Sequence, residues 1–144
     1  MFITKSGFEF VFDRSVADWV SERLPEPCEF GDCAAIGLMD GKPIAGVVYT
    51  NWLIGPSGPH SIEMHIAAEG KRWAHRRTLR VFFGFAFENL KANRVTAVTQ
   101  PYNAACIDML ERLGFQHEGT LRQGYPSGVD ALLFGMLKTE CRWL

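Results

Sequence analysis

Hydrophobic and polar positions change period several times along this chain, and each change marks an element. Phe8-Glu9-Phe10-Val11-Phe12 alternates weakly and suits a strand. Val16, Trp19, Val20 and Leu24 then fall at helical spacing. Ser15-Val16-Ala17-Asp18 has the Ser-x-x-acid form of a helix start, and Pro25 and Pro27 stop the segment. The apolar run Cys33–Met39 and a second run over Pro43–Trp52 flank the turn signal Asp40-Gly41, which predicts an antiparallel hairpin. Gly55-Pro56-Ser57-Gly58-Pro59 reads as a loop too short to be a domain linker. Ser61–Ala68 alternates cleanly, with Ile62, Met64 and Ile66 on one face and Glu63, His65 and Ala67 on the other.

Thr78–Leu90 reads as a helix whose apolar face carries Leu79, Phe82, Phe83, Ala86 and Leu90. Phe85 and Phe87 spread that surface round most of the helix, so deep burial is expected and no chemistry is assigned to the Phe stripe. Arg94–Gln100 is a further strand, closed by Pro101. Asn103 suits the N-cap of a helix presenting Ile107, Leu110 and Leu113, and Gly114 supplies its stop. Phe115–Gln123 and Val129–Lys138 read as two strands around Gly124-Tyr125-Pro126-Ser127-Gly128. This order gives an α/β (α+β) protein: a mixed sheet with helices on its faces. The strand–turn–helix–strand unit in the middle is a right-handed crossover.

Composition narrows the class. At 144 residues the chain is read as one domain, 1–144, long enough to bury a core. Hydrophobic residues make up 47% and charged residues 22%, ordinary for a globular protein. A formal charge of −1 argues against a generic nucleic-acid or membrane-surface binder. Cys28, Cys33, Cys106 and Cys141 form no CxxC pair and have no histidine at ligand spacing, so neither a metal site nor a disulfide framework is expected. Met1–Gly7 lacks the order of a signal peptide, and no apolar run approaches the ~20 residues of a membrane span. A cytoplasmic, reduced protein is the expectation.

One stretch stands out against the near-neutral total. Lys71, Arg72, Arg76, Arg77 and Arg80 crowd the turn before the Phe-rich helix. Cations at a helix N-terminus oppose the macrodipole, at about 0.3–1 kcal/mol each. A chain that places them there expects an anion, and free N–H groups with guanidinium forks suit phosphate. Ligands of such sheets bind where strand C-termini meet the helix start, which is this turn. There is no GxxxxGK[ST] and no GxGxxG, so the phosphate is held in another way.

The segment Asn103-Ala104-Ala105-Cys106-Ile107-Asp108-Met109-Leu110-Glu111-Arg112-Leu113-Gly114-Phe115-Gln116-His117-Glu118-Gly119, with the basic turn and the order of elements, resembles the GCN5-related N-acetyltransferase (GNAT) superfamily. The pattern Asn-x(9–11)-Gly-Phe-x-x-Glu-Gly, followed by Leu121-Arg122, is similar to the branch that acetylates ribosomal-protein N-termini. The resemblance spans about Cys33 to Lys138. It implies a mostly antiparallel mixed sheet with helices on both faces, and acetyl-CoA as cosubstrate. It further implies that Arg72, Trp73, Ala74, His75, Arg76, Arg77 and Thr78 form the pyrophosphate turn, with His75 and Arg77 where the family has glycine. Ile66, Ala67 and Ala68 would pair with the pantetheine arm, and Asn103 and Cys106 would meet it from the following helix.

Transfer to an amine needs a proton acceptor for the ammonium and is helped by an acid at the departing thiolate. Glu63 and His65 share the strand face before the turn and are the candidate bases, direct or through water. The tyrosine that the family uses as acid falls on Leu110 here, which leaves Cys106, Tyr125 or water. The leading function is therefore an acetyl-CoA-dependent N-acetyltransferase working by direct transfer in a ternary complex. A CoA-binding regulatory module without turnover and, less favoured, a nucleic-acid-binding domain are the alternatives. The acceptor amine stays open, with Gly55–His60 and Gly124–Asp130 expected as pocket walls and Asp130 as a draw for a cationic amine. Whether the chain forms a homodimer also stays open, and no membrane partner is expected.

Overall fold

The computed structural model describes residues 2–3, 8–56 and 58–144. Of the sequence readings above, Ser57 and most of Met1–Gly7 lie outside them. The strands are Phe2–Ile3 (β1), Glu9–Val11 (β2), Ala34–Met39 (β3), Pro43–Gly55 (β4), Gly58–Ala68 (β5), Arg94–Thr99 (β6), Gln116–Leu121 (β7) and Ala131–Leu137 (β8). They form one sheet in the order β1-β2-β3-β4-β5-β6-β8-β7. Every neighbouring pair is antiparallel except β5 and β6.

Among the described residues, three α-helices cover the two faces: Ser15–Arg23 (α1), Arg76–Gly84 (α2) and Ala104–Leu113 (α3). On one face, Val16, Ala17 and Val20 of α1 pack with Ala35, Val48 and Ala67. The register aligns Gly37 with Gly46 and Gly46 with Ala67, so a row of small residues crosses three strands beneath α1. A Cβ on Gly46 would stand 2.8 Å from Val20 Cγ2 and 2.9 Å from Val16 Cγ1. The missing side chains are what let the helix approach.

The opposite face holds the larger core. Ile36, Leu38, Val47, Tyr49, Ile62 and Met64 meet Leu79, Phe82, Phe83 and Phe87, with Leu110 and Leu113 of α3 in the same cluster. The Phe-rich helix is as deeply buried as its sequence requires. Its last turn departs from the α pattern: Phe85–Asn89 is π-helical, and Leu90 N–H bonds the carbonyl of Phe85. Tyr49 reaches across the core and donates its hydroxyl to the Phe82 carbonyl at 2.6 Å. The helix thus begins at Arg76, two residues before the span read from periodicity.

Other boundaries moved for local reasons. Ser15 is the first helical residue, and Asp13 Oδ1 accepts its N–H at 2.9 Å. The segment read as a loop at Gly55–Pro59 is mostly the tip of a long β4–β5 hairpin, with Gly55 paired to Gly58. Asn103 caps α3 as expected, its side chain accepting from Cys106 N–H at 3.2 Å, and Gly114 ends the helix at φ 110°.

Glu118 is the residue that β7 sets out of register, between His117 and Gly119. Its carboxylate grips Arg94 at 2.5 and 3.3 Å. The pair lies over Gly135 of β8, where a Cβ would collide with both partners. Glu118, at the Glu-Gly end of the resemblance motif, therefore ties β7 to β6 across β8.

Candidate functional site

The site begins with a break in the sheet. β5 and β6 run parallel but pair only at Ser61↔Arg94, Ile62↔Val95 and Glu63↔Thr96. Beyond that point β5 stays with β4 as far as Ala68↔Ala45, while β6 stays with β8 as far as Thr99↔Leu132. A wedge opens between Met64–Ala68 and Ala97–Thr99. Backbone groups along its sides must find hydrogen-bond partners outside the sheet. Ile66, Ala67 and Ala68 line the β5 side, and Asn103 and Cys106 follow the end of β6.

The basic turn lies at the open end of β5. Two ion pairs pin its flanks: Arg23 to Glu69 at 2.8 Å from α1, and Arg72 to Asp40 at 2.7 Å from the β3–β4 turn. Trp73 is buried in the core, while Ala74 is exposed. His75 is extended at the N-cap; its ring stacks on Phe8 at 6.2 Å and comes within 3.4 Å of the buried Thr78 Oγ1. The N–H groups of Arg76, Arg77 and Thr78 form the first helical turn, which has no intrahelical acceptors.

The five cations do not act together. Arg72 is held by Asp40, Arg80 pairs with Glu88 at 3.5 Å, and Arg76 donates to the Arg142 carbonyl at 3.3 Å. Lys71 and Arg77 are exposed and carry no side-chain ion pair or hydrogen bond among the described residues. The anion-binding potential of the turn thus rests on two cations plus the helix N-terminus.

Glu63 and His65 sit at the closed end of the wedge, on the α1 face of β5. His65 Nε2 lies 2.9 Å from Thr50 Oγ1 and 3.8 Å from Glu63 Oε1. Its ring leans on Phe30, with centroids 4.9 Å apart. Burial lowers the imidazole pKa below the ordinary histidine value, partly opposed by the Glu63 charge, so the ring is neutral at neutral pH. Asn51 Nδ2 donates to Glu63 Oε2 at 2.5 Å.

Next to this pair is a cleft of about 610 Å³ bounded by Cys28–Asp32, Thr50–Trp52, Ile54 and His65. Its outer wall is stitched to α1: Arg14 donates to the Phe30 and Gly31 carbonyls at 3.0 Å each, and Ser21 Oγ bonds both the carbonyl and the N–H of Cys28. The sequence reading missed this wall, because an irregular segment between a helix and a strand has no period. Of the expected walls, Gly55–His60 is hairpin tip. Asp130 accepts from Gln123 N–H at 2.8 Å and lines a different hollow with Thr120–Gln123.

Tyr125 and Cys106 approach the wedge from the far side. Burial pushes the Tyr125 phenol up to about 12, with Cys106, Glu26, Glu63 and Tyr102 adding to the shift. Burial also raises the Cys106 thiol, against a hydrogen bond with Thr99. Both groups therefore hold their protons at neutral pH. The loop carrying Tyr125 is clamped by Glu26, which accepts from Gln100 Nε2 at 2.9 Å and from Ser127 N–H at 3.2 Å. Burial works against ionisation of Glu26, but these bonds bring its carboxyl below the usual value. Leu110, where the resemblance expects a tyrosine, is buried in the core.

No protein-family model matches the chain, and no curated protein matches it in sequence. Solved structures do. Ribosomal-protein-S5-alanine acetyltransferase from Vibrio fischeri superposes with a TM-score of 0.68 over 95% of each chain, at 16% identity. A GNAT-family acetyltransferase from Bacillus anthracis gives 0.67 over 97% of this chain and 100% of its own, at 18% identity. RimJ from Mycobacterium smegmatis, solved with CoA-disulfide, gives 0.61 over 76% of this chain and 55% of its own, at 17% identity. With the wedge between β5 and β6 and the helix start beyond it, these likenesses settle the architecture: the chain has the fold of the GCN5-related N-acetyltransferases.

Proposed function

We propose that this protein is an acetyl-CoA-dependent N-acetyltransferase that moves an acetyl group directly to a primary amine. The observation that carries the reading is the parted β5–β6 pair leading to a helix N-terminus flanked by Lys71 and Arg77. The residues present fit the cosubstrate. First-turn N–H groups and the two free cations suit a pyrophosphate, and the edge of Ile66–Ala68 suits the amides of a pantetheine arm. His75 and Arg77 replace small residues, but His75 carries its ring to Phe8 and Arg77 brings a guanidinium in return.

Acetyl-CoA supplies an acyl group on a thiolate leaving group. The residues of this chain manage protons and orientation. His65, held neutral, and Glu63 accept the proton of the acceptor ammonium, directly or through water. The amine lone pair then forms the C–N bond as the C–S bond breaks, and the departing sulfur takes a proton from Tyr125, Cys106 or water. Holding both reactants in one site supplies up to about 7–11 kcal/mol of the barrier reduction. Glu29 and Asp32 line the cleft beside His65, while the nearby Arg14 guanidinium is engaged by the Phe30 and Gly31 carbonyls; the two carboxylates favour a cationic acceptor.

A second reading, a CoA-binding module without turnover, is favoured by Leu110 in place of the expected tyrosine. Two measurements separate them. Acetyl-CoA at a hundredfold excess over its dissociation constant should stabilise the fold by about 2.7 kcal/mol, read as a rise in Tm. Acetyl-CoA consumption against a panel of primary amines should then show turnover. No thermal shift with millimolar CoA or acetyl-CoA would sink both readings; a shift without turnover on any amine selects the second.

A further inference from the structure

Asn51 has an unusual backbone for a strand residue. It lies within β4, where the register slips: Thr50 faces Glu63, but the next pairing is Leu53 with Ser61. Three steps on β4 thus match two on β5, the mark of a β-bulge. Asn51 adopts φ 54°, in the left-handed region that only glycine and, to a lesser degree, asparagine and aspartate enter readily. Strain of this kind inside a sheet persists where something else depends on it. Here the bulge brings the Asn51 amide to Glu63 Oε2 at 2.5 Å, which leaves Glu63 Oε1 at 3.8 Å from His65 Nε2. A carboxylate can only accept, so the contacting amide atom is the nitrogen.

We propose that Asn51 is a positioning residue: its left-handed backbone aims an amide donor at one oxygen of Glu63 so that the other is held toward His65. This rests on the reading of Glu63 and His65 as the proton-accepting pair of the site and deepens it. Without the donor, a carboxylate on two rotatable bonds beyond Cβ would be free to turn away from His65, and its field there would weaken. The role needs both halves of asparagine, tolerance of positive φ and an N–H donor. Glycine keeps the first and lacks the second; aspartate keeps the first and replaces the donor with a second negative charge.

The test is an NMR titration of the His65 ring in the protein without CoA or amine, its resonance assigned by comparison with His65→Gln. The charged and titratable groups around the pair are Glu63 and His65 on β5, Cys28, Glu29 and Asp32 on the cleft wall and Tyr125 across the wedge, and all but Glu63 are unchanged through the cycle. Glu63→Gln should lower the His65 midpoint by removing a nearby negative charge. Asn51→Gly should lower it by most of that shift, and the Asn51→Gly/Glu63→Gln double variant should titrate like Glu63→Gln alone. Asn51→Asp should raise it. A wild-type midpoint in Asn51→Gly, additive shifts in the double variant, or no shift in Glu63→Gln would each overturn the proposal. A merely structural Asn51 would change Tm without following this cycle. A protein that acetylates no amine would still answer the titration, so the two readings fail separately.

Discussion

Two carboxylates of the sheet meet different partners: Arg94 at Glu118, and Asn51 and His65 at Glu63. Glu118 is structural. The hydrogen bonds from Arg94 hold its carboxyl below the usual 4.5, with burial opposing and the Arg94 charge helping. A depressed carboxyl stabilises the fold fully above its unfolded value and loses that contribution as pH falls through its folded value. The pair is partly exposed, so solvent screens it and the effect is modest. Glu118→Gln should therefore lower Tm near neutral pH, and the gap from wild type should close as pH drops below 4.5; a gap independent of pH would mean that packing, and not charge, is what Glu118 supplies. Glu63 is the proposed proton acceptor. Its replacement by Gln should spare CoA affinity and lower turnover by about 10²–10⁴-fold, most at low pH where the amine is protonated. Full activity across pH would move the proton to His65 or to water.

Among the elements, α1 and the start of α2 show opposite uses of small and large residues. Gly37, Gly46 and Ala67 clear a track for α1, and the Val16 and Val20 side chains fill it. Gly46→Ala should cost about 1–3 kcal/mol by overpacking, measured by denaturant unfolding. Combining it with Val20→Ala should cost less than the two changes summed, because each opens space for the other. At α2, the crowd of arginines in the sequence suggested one phosphate clamp, but three of the five cations are spent on Asp40, Glu88 and the Arg142 carbonyl. Replacing Lys71 and Arg77 together with Ala should weaken CoA binding in calorimetry. The apo fold should keep or slightly gain stability, since Arg77 in the first turn opposes the helix macrodipole and Lys71 carries no ion pair to lose among the described residues. Unchanged affinity would put the phosphates elsewhere.

At the scale of the whole molecule, the site is a fault line in the sheet with helices on either side. A parallel crossover brings β6 beside β5, and the two part after three pairings. Glu63 is the last residue of β5 paired with β6, so the candidate base stands where the sheet begins to open. Loops far apart in sequence close round this point: Cys28–Asp32 through bonds to α1, and the Tyr125 turn through Glu26.

Local rules acting on sequence alone determined most of the elements. Alternation placed Glu63 and His65 on one face of a strand, the Phe spacing required a buried helix, and Asn103 with Gly114 bounded α3, because each depends only on neighbours a few residues away. The motif Asn103–Gly119 also pointed to the fold. What those rules could not reach depends on partners distant in the chain. The division of the arginines between bonded and free cations and the role of Glu118 both followed from contacts that only folding creates. The wall at Cys28–Asp32 has no period, and the bulge at Asn51 is a mismatch of register between two strands. A register is a property of a pair, so no reading of one strand contains it.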